Sequence, residues 1–459
     1  MEDLSTLLAQ QQACFASGAT RPHAFRQQML RRLLQAIKAE EAAITAALAA
    51  DFGKPPFETY ATEIGVLLSE IRFTLRHLKK WMKPQRVQPS LFNFPSQDAI
   101  HPEPYGVSLI VGAWNYPFQL ALAPVIGSIA AGGCAILKPS ELTPATSALI
   151  SQLIGRHFPA EYLAVVQGGA EVSQALLALP FDKIFFTGSI PVGKLVAQAA
   201  ARQLIPVTLE LGGKSPCLVD ETADLKRSAR RIAWGKYLNA GQTCVAPDYL
   251  LVQDSILPAF LEQLAATLTE FYGADPAQSP DYARIINDKH FRRLCQLMEG
   301  TRIYAGGQTD AVRHYIAPTV LTEVSWQHPV MQEEIFGPLL PVLPFRSIDD
   351  AIAQVNAQPK TLALYLFSKN KKNQAAVLAR TSSGAACINE TITHLVNPHL
   401  PFGGVGPSGQ GSYHGQASFE AFTHQKSVLR KPFRPDLPLR YPPYGKDKLK
   451  WVKKAFRFL

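Results

Sequence analysis

Apolar side chains in the N-terminal part of the chain recur near the 3.6-residue period of a helix: Met29, Leu33 and Ile37, then Val66, Ile71, Leu75 and Leu78. This spacing predicts helices over residues 22 to 51 and 58 to 82, with Pro84 ending the second. Residues 84 to 105, rich in Pro, Gln and Ser with short apolar islands, predict an extended excursion from the core. From Val107 the pattern changes. Short apolar runs at Val107–Val111, Ala135–Leu137, Leu163–Val166 and Lys183–Phe186 alternate with helical stretches near 118 to 131, 144 to 157 and 170 to 178. Such alternation predicts a parallel sheet covered by helices, the doubly wound α/β class. A second α/β region follows Pro206, with strands at Pro216–Val219, Tyr249–Val252 and Leu362–Phe367 and helices around 226 to 238 and 255 to 271.

The stretch from Pro104 to Leu137 carries no charge and is long enough to be mistaken for a membrane span. Pro117, Pro124, Asn115, Gln119 and the Gly132-Gly133 pair divide it into pieces that suit a buried strand, a turn, a helix and a second strand. A length of 459 residues with 47% hydrophobic content predicts two or three packed lobes. The opening Met1-Glu2-Asp3, read with polar residues through Gln12, lacks the basic start and apolar run of a secretory signal, so a cytoplasmic location is expected. Six cysteines lie far apart without CxxC pairs or histidines at ligand spacing, so neither a disulfide framework nor a metal site is expected. The net charge of +10 concentrates at Arg72 to Arg86 and Lys446 to Arg457, without the interleaved aromatics or finger spacing of a nucleic-acid reader. No nucleic-acid partner is expected.

Four segments carry candidate chemistry. Ile184-Phe185-Phe186-Thr187-Gly188-Ser189-Ile190-Pro191-Val192-Gly193 reads as a buried strand, a Gly turn and a helix opening, where free amides favour a phosphate. Its Gly-x4-Gly spacing departs from the common dinucleotide fingerprint, and a structural turn explains it equally well. Lys138 and Glu141 follow another strand and can both reach ribose hydroxyls, or simply pair with each other. In Asn239-Ala240-Gly241-Gln242-Thr243-Cys244 a helix ends in small and polar residues and leaves a thiol at a turn, whereas Cys134 in Gly-Gly-Cys-Ala-Ile-Leu suits the core. In Thr208-Leu209-Glu210-Leu211-Gly212-Gly213-Lys214 a carboxylate lies between leucines, placed either as a general base raised by burial or as a partner of Lys214.

In this order the segments resemble the aldehyde dehydrogenase superfamily from about Pro104 to Lys426, with the Phe-Thr-Gly-Ser turn, the Glu-Leu-Gly-Gly-Lys-Ser motif, the Gly-Gln-x-Cys motif, and Cys244 34 residues after Glu210. Pro104-Tyr105-Gly106, Trp114-Asn115-Tyr116-Pro117, Glu334-Ile335-Phe336-Gly337-Pro338 and Leu400-Pro401-Phe402-Gly403-Gly404 agree. The short N-terminus, Val245-Ala246-Pro247-Asp248-Tyr249, Tyr413-His414-Gly415 and Phe422-Thr423-His424 resemble the class 3, fatty-aldehyde type.

The resemblance implies oxidation of medium- or long-chain aliphatic or aromatic aldehydes to acids by a homodimer. Cys244 would be the nucleophile, Glu210 the base that activates water, and Asn115 with the Cys244 amide the oxyanion donors. Lys138 and Glu141 would hold the adenosine ribose, and Thr187, Gly188, Ser189 and Gly193 would form the pyrophosphate turn. Trp114, Leu211, Glu334 and Phe336 would complete the cofactor site around the nicotinamide. NAD is the expected cofactor and NADP the alternative, because Glu141 repels a 2′-phosphate although class 3 relatives with this carboxylate use NADP. The implied domains are a Rossmann-type NAD(P)-binding domain from residues 1–83 and 106–209, a catalytic α/β domain at 210–398, and a small β oligomerisation extension from 84–105 and 399–430. A CoA-acylating enzyme would not need Glu210, and a non-catalytic relative would be expected to lose the nucleophile or the base.

Residues 431–459 form a basic tail. Leu449, Val452, Phe456 and Leu459 make an apolar stripe, with Trp451 near it, among Lys446, Lys448, Lys450, Lys453, Lys454 and Arg457. This predicts either a helix lying on an anionic membrane or one covering the substrate funnel.

Overall fold

The computed structural model describes residues 4–90, 93–436 and 438–457. It opens with helix α1 (Leu4–Ala16), in a stretch whose polar composition through Gln12 predicts no helix. Leu4, Leu7, Leu8 and Gln11 share one helical face, and the buried Gln11 amide donates to Ala135 O at 3.0 Å and Ala160 O at 2.9 Å. A glutamine whose donors are satisfied inside the protein thus occupies a core position. The helix expected over 22 to 51 is two, α2 (His23–Ala39) and α3 (Glu41–Phe52), because the backbone turns at Glu40 with φ −102° and ψ 14°. The one expected over 58 to 82 comprises α4 (Pro56–Thr59), a π-helical turn at Tyr60–Ile64 and α5 (Gly65–Trp81).

The predicted excursion is a strand pair, β1 (Gln85–Val87) and β2 (Gln97–Pro104). It leads into the first parallel sheet: β3 (Val107–Val111), β4 (Cys134–Lys138), β5 (Leu163–Val165), β6 (Lys183–Thr187) and β7 (Val207–Glu210). Helices α6 (Pro117–Ala131), α7 (Pro144–His157), α8 (Ala170–Leu177) and α9 (Ile190–Arg202) connect its strands. Every residue of α6 is buried, which explains the uncharged stretch as protein interior; no helix among the described residues is long and apolar enough to cross a membrane.

The second sheet begins with β8 (Pro216–Val219), helix α10 (Leu225–Tyr237) and β9 (Tyr249–Gln253), followed by helices α11 (Leu257–Tyr272) and α12 (Asp288–Met298). It continues with β10 (Arg302–Ala305), a hairpin of β11 (Thr309–Asp310) and β12 (Tyr315–Ile316), β13 (Thr319–Thr322), β14 (Leu339–Phe345), β15 (Thr361–Phe367) and β16 (Ser383–Ile388). The strand order is β10-β13-β14-β9-β8-β15-β16, parallel except for β10. Helices α13 (Ile348–Asn356) and α14 (Lys371–Arg380) follow β14 and β15.

The chain then returns to the first sheet. Strand β17 (Gly409–Gln410) joins its edge antiparallel to β7, placing Gly409 opposite Glu210, and the order becomes β17-β7-β6-β3-β4-β5. After α15 (Gln416–Ala421), strand β18 (Thr423–Arg430) runs antiparallel to β2 from Thr423↔Pro104 to Arg430↔Gln97 and forms an edge of the third sheet. The last element is α16 (Lys446–Ala455), none of whose side chains is buried.

Candidate active site

The thiol loop is built from a strained backbone. Beyond α10, Asn239 (φ 56°) and Ala240 (φ 52°) adopt left-handed conformations ahead of Gly241 (φ 73°). For residues with a Cβ this costs on the order of 1–2 kcal/mol each, so side chains must hold it. Asn239 Nδ2 donates to Asn115 O at 2.8 Å and Gln242 O at 3.1 Å. Gln242 Nε2 donates to Asn239 O at 3.1 Å and Arg284 O at 3.0 Å, while its Oε1 accepts from Ile286 N at 3.0 Å. The result is a loop in which every residue from Leu238 to Leu250 is buried except Cys244, which is partly exposed. Burial pushes its thiol well above the ordinary range, with the charges of Glu334 and Glu210 adding to the effect; the Cys244 and Val245 amides donate to the sulfur and oppose it.

Glu210 ends β7 between Thr187 of β6 and Gly409 of β17. Its carbonyl accepts from Gly188 N at 3.0 Å, and the next amide, Leu211 N, donates to Ser408 O at 3.1 Å, so the backbone is fixed from both sides. The residue is 3% exposed, and neither carboxyl oxygen has a hydrogen-bond partner among the described residues. Lys214, the alternative partner, is engaged elsewhere, with Asp248, Val330 O and Glu333 O. Burial alone therefore raises the Glu210 carboxyl well above its ordinary value.

A carboxyl raised on folding keeps its proton in the native state after the unfolded chain has lost it, so stability falls as pH rises above the unfolded value. Glu210→Gln is accordingly expected to melt at a higher temperature than the parent at alkaline pH. The difference should shrink towards the ordinary carboxyl pKa of about 4.3, as thermal melts across pH would show.

Asn115, 3% exposed in the loop between β3 and α6, donates through Nδ2 to Gln242 O at 3.1 Å, which brings its amide to the thiol loop. Tyr413, which the sequence offers only as part of a family pattern, also belongs here. Burial raises its phenol, Glu210 and Cys244 act on it electrostatically, and it hydrogen-bonds Gln119. Gln119 lines a cavity of 210 Å³ whose wall combines Val66, Leu67 and Leu395 with Glu70 and His414.

The residues expected to hold a dinucleotide are also brought together. Gly188 turns β6 into α9, whose N-cap residue Ser189 makes no side-chain cap bond, leaving the helix opening free for an anion. The buried Thr187 Oγ1 has no partner among the described residues. Small residues are required here, because a Cβ at Gly193 would lie 2.5 Å from Leu211 Cδ2 and one at Gly188 2.6 Å from the Phe186 ring. Lys138, buried at the end of β4, donates to Glu141 Oε2 at 2.6 Å; burial raises the half-exposed Glu141 carboxyl, but the bond and charge of Lys138 outweigh it and leave it below its ordinary value. Trp114 and Phe336 meet edge to face at 5.1 Å. The Glu334 carboxyl folds over Gly212, accepts from the Gly213 amide, and is raised by burial to about 8. An open helix terminus and an orphaned hydroxyl beside it fit a dinucleotide.

Residues 2–428 match the sequence model of the aldehyde dehydrogenase family. The chain is 49% identical over 447 residues to 4,4'-diaponeurosporen-aldehyde dehydrogenase of Staphylococcus aureus, covering 97% of each. It is 46% identical over 441 residues to aldehyde dehydrogenase family 3 member A2 of Pongo abelii, covering 96% of this chain and 91% of that one. Against the dimeric NADP-preferring aldehyde dehydrogenase of Mus musculus the identity is 46% over 445 residues, 96% and 98% of the two chains. The solved structure described as the substrate-bound state of Staphylococcus aureus AldH is similar to it with a TM-score of 0.97 and 48% identity, over 99% of this chain and 100% of that one.

Proposed function

We propose, from the premise that the chain belongs to the aldehyde dehydrogenase family and is a class 3-type oxidoreductase using NAD or NADP, that it oxidises medium- or long-chain aliphatic or aromatic aldehydes through Cys244 and Glu210. One observation carries the reading: a partly exposed cysteine in an otherwise buried loop lies within electrostatic reach of a buried carboxyl that has no partner among the described residues.

Cys244 passes its thiol proton to water, and Sγ adds to the aldehyde carbon and forms a thiohemiacetal. The amides at Cys244 and Asn115 stabilise its oxyanion. NAD or NADP, when bound, supplies the acceptor for the hydride that leaves this carbon; Lys138, Glu141, Ser189 and Glu334 would hold it. The remaining thioester is opened by water whose proton Glu210 takes, and the acid departs as the thiol is restored. Val66, Leu67 and Leu395 in the wall of the 210 Å³ cavity beside Gln119 support an apolar substrate tail. A panel of aldehydes of increasing length with both cofactors tests this: kcat/KM is expected to rise with chain length, and a preference for the shortest aldehydes would refute it.

The first sheet with its helices would be the cofactor domain, and the second the catalytic domain. The exposed edge of β18 supports pairing with a second copy, in line with the word dimeric in a relative's name. The C-terminal tail would bring a cytoplasmic enzyme to membranes. Leu449 and Trp451 are exposed on α16 among basic residues, Asp447 is the lone acid between Lys446 and Arg457, and Leu459 of the expected stripe lies outside the described residues. In vesicle flotation with anionic lipid, the full chain is expected to float and a chain ending at Pro443 to remain below, the difference fading with salt. Equal recovery of both would remove the membrane role.

A further inference from the structure

A group of buried charges lies behind the nucleophile, outside every residue assigned above. Lys54 and Glu63 pair at 2.6 Å with both side chains wholly buried. Glu63 Oε2 accepts from Phe118 N at 3.1 Å and Gln119 N at 2.9 Å, filling the N-terminus of α6 directly after Asn115. Lys54 Nζ lies 4.0 Å from the centre of the Tyr116 ring, and Tyr116 Oη is 2.6 Å from the hydroxyl of Thr243, the residue before Cys244. Glu58 completes the group: its Oε2 accepts from the amide of Asn239, the first left-handed residue of the thiol loop, at 3.0 Å.

The backbone explains how two carboxylates five residues apart share one site. Five residues of α-helix rotate a side chain about 140° beyond a full turn. The π turn at Tyr60–Ile64, with Gly65 N bonded to Tyr60 O, replaces that with an i→i+5 repeat and turns Glu58 and Glu63 towards the same side. Unpaired, such charges would each cost several kcal/mol of desolvation, so a cluster of this kind stays folded only while its partners are in place.

We propose that Lys54, Glu58, Glu63 and Tyr116 are positioning residues that hold the nucleophile loop and the Asn115 loop in register, one arm acting through Tyr116 on Thr243 and the other through Glu58 on Asn239. None of the four side chains lines the 210 Å³ cavity, and their contacts run to the two loops, so their effect falls on the alignment of Cys244 with its oxyanion donors. The inference rests on Cys244 being the nucleophile.

Tyr116→Phe keeps the ring over Lys54 and removes only the hydroxyl; it is expected to lower kcat about tenfold per titrated thiol, with KM for hexanal and for NAD within twofold of the parent. Glu58→Leu is expected to lose at least as much, and Glu58→Gln, which keeps an acceptor for Asn239 N–H, to recover most of it. Unchanged kcat in both Tyr116→Phe and Glu58→Leu, or losses confined to KM or melting temperature, would overturn the proposal. Should Glu58→Leu fail to fold, Tyr116→Phe decides alone. Full turnover by Cys244→Ser would instead show that the nucleophile assignment had failed.

Discussion

Cys244→Ser is expected to lose turnover of hexanal with NAD by about 10⁴-fold or more in kcat while still binding the cofactor. The substitution exchanges one atom in a loop whose neighbours are buried and hydrogen-bonded, so the backbone has no reason to move. What changes is acidity. Burial and the nearby carboxyls hold the Cys244 thiol above its ordinary range, and the amides of Cys244 and Val245, which donate to the sulfur, oppose that rise. Even so a thiol remains a far better acid and nucleophile than a serine hydroxyl without an adjacent base. NADH formation measures the loss, and fluorescence titration with NADH checks that the cofactor site survives.

Glu210→Gln should separate the two halves of the reaction. The first half does not need a base for water, so one equivalent of NADH per site is expected in a rapid burst. Steady-state turnover should then fall by about 10²–10⁴-fold because the thioester waits for an unactivated water. In the parent, the raised carboxyl means that the base form accumulates only above the ordinary carboxyl range, so deacylation is expected to accelerate as pH rises. That rising limb should be missing from the Glu210→Gln profile. Equal pH profiles in parent and variant would remove Glu210 from the water step.

The centre of the candidate site was legible through the ordered motifs that resemble the family, and its surroundings stayed dark for physical reasons. By their local contexts alone, Cys244 at a polar turn and Glu210 at the end of the short apolar run β7 fit an inert thiol and a partner of Lys214 as well as a catalytic pair. Strand β14 was hidden because Pro341 and Pro344 argue against a central strand, and β16 because Ser383-Gly384-Ala385-Ala386 has no bulky apolar side chain. The contributions of Tyr413, Lys54 and Glu63 depend on contacts distant in sequence or on a π turn, and a lone buried lysine or tyrosine looks no different from a surface one in a linear chain. Helix α1 was missed because its glutamine faces inwards, satisfied by carbonyls more than a hundred residues away.

Mass spectrometry of Glu210→Gln quenched in acid after mixing with hexanal and NAD tests the account at its centre. A hexanoyl group is expected on the peptide containing Cys244, and on no other cysteine. An unmodified Cys244 in protein that has released its burst of NADH, or an acyl group carried by a different thiol, would contradict it.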